Sequence, residues 1–174
     1  MLAIALLVSC TTSKTASRED DRPAEKALPA HSVVRVSYDA ERRMTLVRLH
    51  PDKGAPAADR TQIVAGGAYP GKLPRAPSTV MFGVRSSGKT WRHEGCATLD
   101  LLADDAPAVS LPATRERQIG SGYLTEYLLA MIPYSQLRQL AGASLLRIKA
   151  CGLQIRVSDA DRRALRAFVE AFGS

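Results

Sequence analysis

Two β-rich runs open the patterned part of the chain, SVVRVSY (Ser32 to Tyr38) and MTLVRLH (Met44 to His50), separated by the polar DAERR. Two such runs around a short polar break predict a hairpin. Pro51 to Ser78 is then dense in Pro, Gly and Ala, a spacing that disfavours a long helix and a central strand alike. It predicts a long surface loop, functional or mobile, with one short strand around Thr61 to Val64.

A second β-rich block holds STVMFGVR (Ser78 to Arg85), ATLDLLAD (Ala97 to Asp104) and PAVSLP (Pro107 to Pro112). Its frequent Gly, Pro and polar breaks suggest short antiparallel strands. GYLTEYLLAMI (Gly122 to Ile132) alternates as a strand does, but its Leu, Ala and Glu content leaves a helix open. Pro133 can open a short helix that buries Tyr134, Leu137, Leu140 and Ala141, with Gly142 helping to end it. LLRIKA (Leu145 to Ala150) and LQIRVS (Leu153 to Ser158) alternate around Cys151-Gly152, a two-residue hairpin turn. Ser158 and Asp161 form an N-cap signal, and Leu165, Phe168, Val169 and Phe172 recur at helical spacing. The sum is an α+β domain of mostly antiparallel sheet, with a short helix and a C-terminal amphipathic helix packed on it. This helix, hairpin, helix ending resembles the tails of many uncharacterised exported bacterial domains, and the likeness carries no functional residue.

The first ten residues break this pattern. Leu2 to Val8 is an unbroken apolar run, followed by Ser9, Cys10 and an abrupt polar stretch. The run is too short to span a bilayer, which takes about 20 apolar residues, but suits the apolar region of an export signal. Leu7-Val8-Ser9-Cys10 resembles the lipobox of bacterial lipoproteins. That resemblance implies removal of residues 1–9, acylation of Cys10 with palmitate among its chains, and, from Thr11 rather than Asp after the Cys, residence at the outer membrane facing the periplasm. Residues 11–30 lack apolar periodicity and read as a tether, leaving residues 31–174 as a single periplasmic domain.

The formal net charge is +7, and residues 11–30 carry four basic and four acidic side chains, so the surplus belongs to the domain. Expected partners are the membrane, through the lipid anchor, and an acidic envelope partner or polymer. Aromatic residues are only 5% of the chain and no long basic run occurs, which argues against nucleic acid. Beyond Cys10 the cysteines number two, Cys96 and Cys151. In an oxidising compartment they are either a disulfide or two buried thiols, and neither has a second Cys or His at zinc spacing. No metal or cofactor is expected.

GVRSSGKT (Gly83 to Thr90) matches the letters of a phosphate-binding loop. That loop requires a helix after it, whereas Trp91 to Cys96 reaches a Gly and runs into ATLDLLAD. The spacing suits a hairpin with Ser86, Ser87, Gly88 and Lys89 as its polar turn. Nucleotide binding through Lys89 is therefore a minor reading. His93 beside Cys96 could pair a base with a thiol, and Asp104-Asp105 could pair carboxylates, but a surface His and turn residues are the commoner uses. Trp91 reads as a core anchor. No catalytic residue is assigned, and the domain is expected to act by binding or as a structural part. The alternative is a small envelope hydrolase using Cys96 with His93, or Asp104.

Overall fold

The computed structural model describes residues 34–50, 60–120 and 122–173. The signal, Cys10, the tether and His31 lie outside these. Among the described residues the chain folds as β1 (Val34–Asp39), β2 (Met44–Leu49), β3 (Arg60–Pro70), β4 (Thr79–Gly88), β5 (Thr98–Ala103), β6 (Val109–Gly120), β7 (Tyr123–Pro133), α1 (Tyr134–Gly142), β8 (Leu146–Ala150), β9 (Leu153–Arg156) and α2 (Asp159–Glu170). The strands make one open sheet in the order β1-β2-β3-β4-β7-β6-β5-β8-β9, antiparallel throughout. The sheet dominates, and the two helices are the short and C-terminal ones expected.

Two of the three expected hairpins form. β1 pairs with β2 from Val34 opposite Leu49 to Asp39 opposite Met44. β8 pairs with β9 across Cys151-Gly152, which take φ of 49° and 79°, the left-handed pair that a tight hairpin turn requires. GYLTEYLLAMI resolves as strand β7.

Three expectations fail. The short strand at Thr61–Val64 is an eleven-residue central strand, Arg60–Pro70, between β2 and β4. Gly67 in it is demanded by packing: a Cβ there would lie 2.6 Å from Phe172 Cζ and 2.9 Å from Val80 Cγ1. PAVSLP does not stop at Pro112, because β6 continues to Gly120. Its residues 109–112 pair with β5 and 113–120 with β7, so the strand changes partner just after Pro112, where the missing N–H interrupts the ladder. Finally, β4 and β5 are not a hairpin. β4 is flanked along its length by β3 and β7, and β5 lies between β6 and β8. The long β6–β7 hairpin takes the edge of β4 that a local pairing would have used.

Sheet alternation then sorts the side chains. The inner face carries Val47, Ile63, Val80, Phe82, Leu128 and Ile132, all buried. The helices cover it: α2 packs against α1 and β1–β3, and α1 against β7. Ser158 Oγ accepts the Asp161 N–H at 3.1 Å, which fixes the start of α2. Leu165, Phe168 and Phe172 are 0% exposed, each contributing about 1.5–3 kcal/mol by burial. Phe172 meets Tyr69, Tyr134 and Phe168 edge-on at centroid separations of 5.9, 5.5 and 5.2 Å. Tyr134 Oη donates to the Val169 carbonyl at 2.9 Å and locks the two helices together.

Candidate functional site

At one end of the inner face the apolar rows give way to polar ones. Thr61 on β3 is opposite Ser86 on β4, Ser86 opposite Glu126 on β7, and Glu126 opposite Arg117 on β6. These positions share the strand phase of Ile63, Val84 and Leu128, so the sheet itself aims four polar side chains inward.

The β4–β5 connection folds over this row. Ser86 Oγ and His93 Nε2 are 2.8 Å apart, and Thr61 Oγ1 is 2.9 Å from the same hydroxyl. Glu126 Oε2 accepts the backbone N–H groups of Arg92 and His93, both at 2.9 Å. Arg115 donates to the His93 carbonyl at 2.9 Å and approaches Glu126 Oε1 at 3.8 Å, with Arg117 Nε at 4.0 Å from that oxygen. Arg117 also pairs with Glu94 at 3.5 Å and covers the Trp91 ring at 4.7 Å from its centroid. A disulfide between Cys96 and Cys151, Cα atoms 5.3 Å apart, fastens the connection to the β8–β9 turn.

Ser–His–Glu is the inventory of a hydrolase relay, but the geometry differs from one. In a relay the acid holds the imidazole nitrogen remote from the nucleophile. Here Glu126 grips the main chain, and His93 Nδ1 has no hydrogen-bond partner among the described residues. Ser86 and His93 are 2% and 0% exposed, which leaves no open side for a substrate. Burial is the main cause that pushes the His93 pKa down; Glu126 opposes the shift, while Arg92 and Arg115 add to it. A neutral imidazole bonded at Nε2 braces the connection.

Cys96 Sγ is bonded to Cys151 and is no nucleophile, and the His93 ring points to Ser86. His93 is buried, contrary to the surface expectation. Asp104, at φ 47°, is a turn residue as expected: its carboxylate accepts the N–H groups of Ser144 at 3.3 Å and Leu145 at 2.8 Å. Ser86, Ser87 and Gly88 are not a turn but the buried end of β4. Lys89 follows on the surface, and the chain passes to β5 without a helix, so GVRSSGKT lacks the part that grips phosphate. Trp91 is half-buried beneath Arg117 rather than in the core. No group of three or more His, Cys, Asp or Glu suited to a metal occurs among the described residues.

No family model matches the chain, and neither a curated protein nor a solved structure matches it. The remaining candidates are surfaces. A recess of about 240 Å³ lies between α1 and the β5–β6 turn, lined by Leu101, Val109, Leu140, Gln136 and Gln139, and its one charged lining residue is the already engaged Asp104. The other is the open face of the sheet, which neither helix covers. Beside polar residues such as Gln62, Arg85 and Glu116, it carries an apolar group, with Leu46, Met81, Leu129 and Met131 part or largely exposed and Val64 buried among them. Met131 is 60% exposed.

The buried polar row left a trace in the sequence: Ser86 and Glu126 stand at positions whose strand neighbours in phase are apolar. Their meeting with His93 depends on the β4–β7 pairing, which no local pattern announces.

Proposed function

We propose that this chain is a lipid-anchored protein of the bacterial envelope, held at the outer membrane through Cys10 and facing the periplasm, whose domain works by binding and performs no reaction of its own. The observation that carries the binding reading is the open face, apolar at its centre and basic toward β1. Further support comes from the residues with catalytic potential, since each is engaged within the fold. His93 braces Ser86, Cys96 joins Cys151, and Asp104 caps Ser144 and Leu145. A disulfide also suits an oxidising compartment outside the cytoplasm.

Palmitate labelling and cell fractionation of the Cys10→Ala variant test the anchor. The expected result is loss of the label and release from the membrane pellet. Labelling of the variant at the wild-type level contradicts the reading.

A further inference from the structure

Building on the anchored reading, we propose that the open face is a docking surface for an anionic phospholipid membrane, with Arg35 and Arg48 meeting lipid phosphates and Met81 and Met131 seated at the headgroup boundary. The register assembles this surface. Arg35 is opposite Arg48, Arg48 opposite Gly66, Gly66 opposite Met81, and Met81 opposite Met131. One row across five strands therefore reads cation, cation, gap, thioether, thioether. The gap is filled from the side, since Met81 Cε lies 3.2 Å from where a Gly66 Cβ would stand.

Like charges directly opposite on a sheet face repel and destabilise the pair. Arg35 and Arg48 hold that arrangement, both exposed, with no ion-pair partner among the described residues. The acids on the same face stand apart from them. Asp39 is four residues along β1 and bonded to Arg42, Glu116 is on β6, opposite Tyr127, and Asp100 is on β5, opposite Lys149. The uncompensated field is felt next door: the His50 pKa is lowered first by partial burial and then by Arg48 and Arg35. Such a cluster beside exposed apolar side chains matches an interface that is anionic at the phosphates and apolar beneath them.

Val34, the first described residue after Cys10 in the chain, is next to Arg35, so an anchored domain carries this corner nearest its anchor in sequence. Tethering makes the second contact intramolecular, and a weak surface affinity then suffices to orient the domain.

The test is vesicle co-sedimentation of the purified full chain carrying Cys10→Ala, so that acyl chains contribute nothing and the leader contributes equally to every variant. Phosphatidylglycerol vesicles should bind it more tightly than phosphatidylcholine vesicles, with binding falling between about 0.1 and 0.5 M salt. Arg35→Gln with Arg48→Gln should weaken binding roughly thirtyfold, from the usual contribution of a basic residue near an anionic surface. Met131→Gln should weaken it severalfold, and the charge-preserving Arg35→Lys with Arg48→Lys should retain it. Equal binding to the two lipids, or a Gln pair that sediments like its parent, overturns the proposal. So does a dimer in solution that Met131→Gln dissociates while vesicle binding is unchanged, which would make a second copy the occupant. Palmitate labelling of wild-type Cys10 is read separately, so failure of the anchor and failure of the docking face are distinguishable.

Discussion

The two faces of the sheet are woven from the same strands and have opposite fates. On β7, Leu128, Ala130 and Ile132 point into the inner face and are buried beneath the helices, while Leu129 and Met131 point the other way with no helix or strand of the described residues over them. Both sets are apolar. An antiparallel sheet with one solvated face ordinarily separates apolar from polar by alternation, and along this part of β7 the open side departs from that pattern. Apolar character therefore marks stability on one face and contact on the other, and stability and contact can be perturbed separately.

The sharpest contrast should come from Phe172→Ala. It removes a fully buried ring from the junction of Tyr69, Tyr134 and Phe168. A loss of about 3–5 kcal/mol is expected in urea unfolding. Next is the paired change Cys96→Ser with Cys151→Ser. The bridge closes a separation of 55 residues, and its removal should cost about 2–4 kcal/mol while freeing the connection over the polar row.

A smaller effect separates the polar end of the inner face from its apolar bulk. Burial holds His93 below its ordinary range, so the folded state favours neutral imidazole. The unfolded chain binds a proton near pH 6.5, whereas the folded chain does so only at lower pH. The resulting stabilisation is complete above about pH 6.5 and is lost as pH falls through the lowered folded value. His93→Gln should flatten that acid-side slope in unfolding midpoints taken from neutral to acidic pH. His50→Gln, at a more exposed site whose pKa moves the same way, should flatten it less. The smallest changes belong to the open face, where Met131→Ala and Arg48→Gln should alter unfolding free energy by no more than about 0.5 kcal/mol. A loss there comparable to that of Phe172→Ala would erase the distinction between the faces.

Legibility in the sequence followed the range of the determining contacts. Helix α2 was visible because its cap, Ser158, and its stripe, Leu165 to Phe172, are local. The β1–β2 and β8–β9 hairpins were visible for the same reason. β3 was obscured because Gly66 and Gly67 look like loop residues, and Gly67 is explained by an aromatic ring far away in sequence, that of Phe172. The outer half of β6, Thr114 to Gly120, carries a mostly polar, exposed run, so no apolar periodicity advertised it. Of the polar row, Ser86 was obscured because Ser-Ser-Gly reads as a turn, and its meeting with Glu126 and His93 depends on strand order. The disulfide was one of two readings of an even cysteine pair, and the turn geometry that brings Cys151 to Cys96 came from the fold. Arg35 and Arg48 were legible as charges but not as neighbours.

Whether the open face is a contact surface is tested most directly by oxidative footprinting of Met131 and Met81 in native envelopes and after detergent extraction. Met131, 60% exposed in the isolated chain, should be protected in the envelope and oxidise readily once extracted, with Met81 following more weakly. Equal oxidation of Met131 in the two states would contradict a docked face.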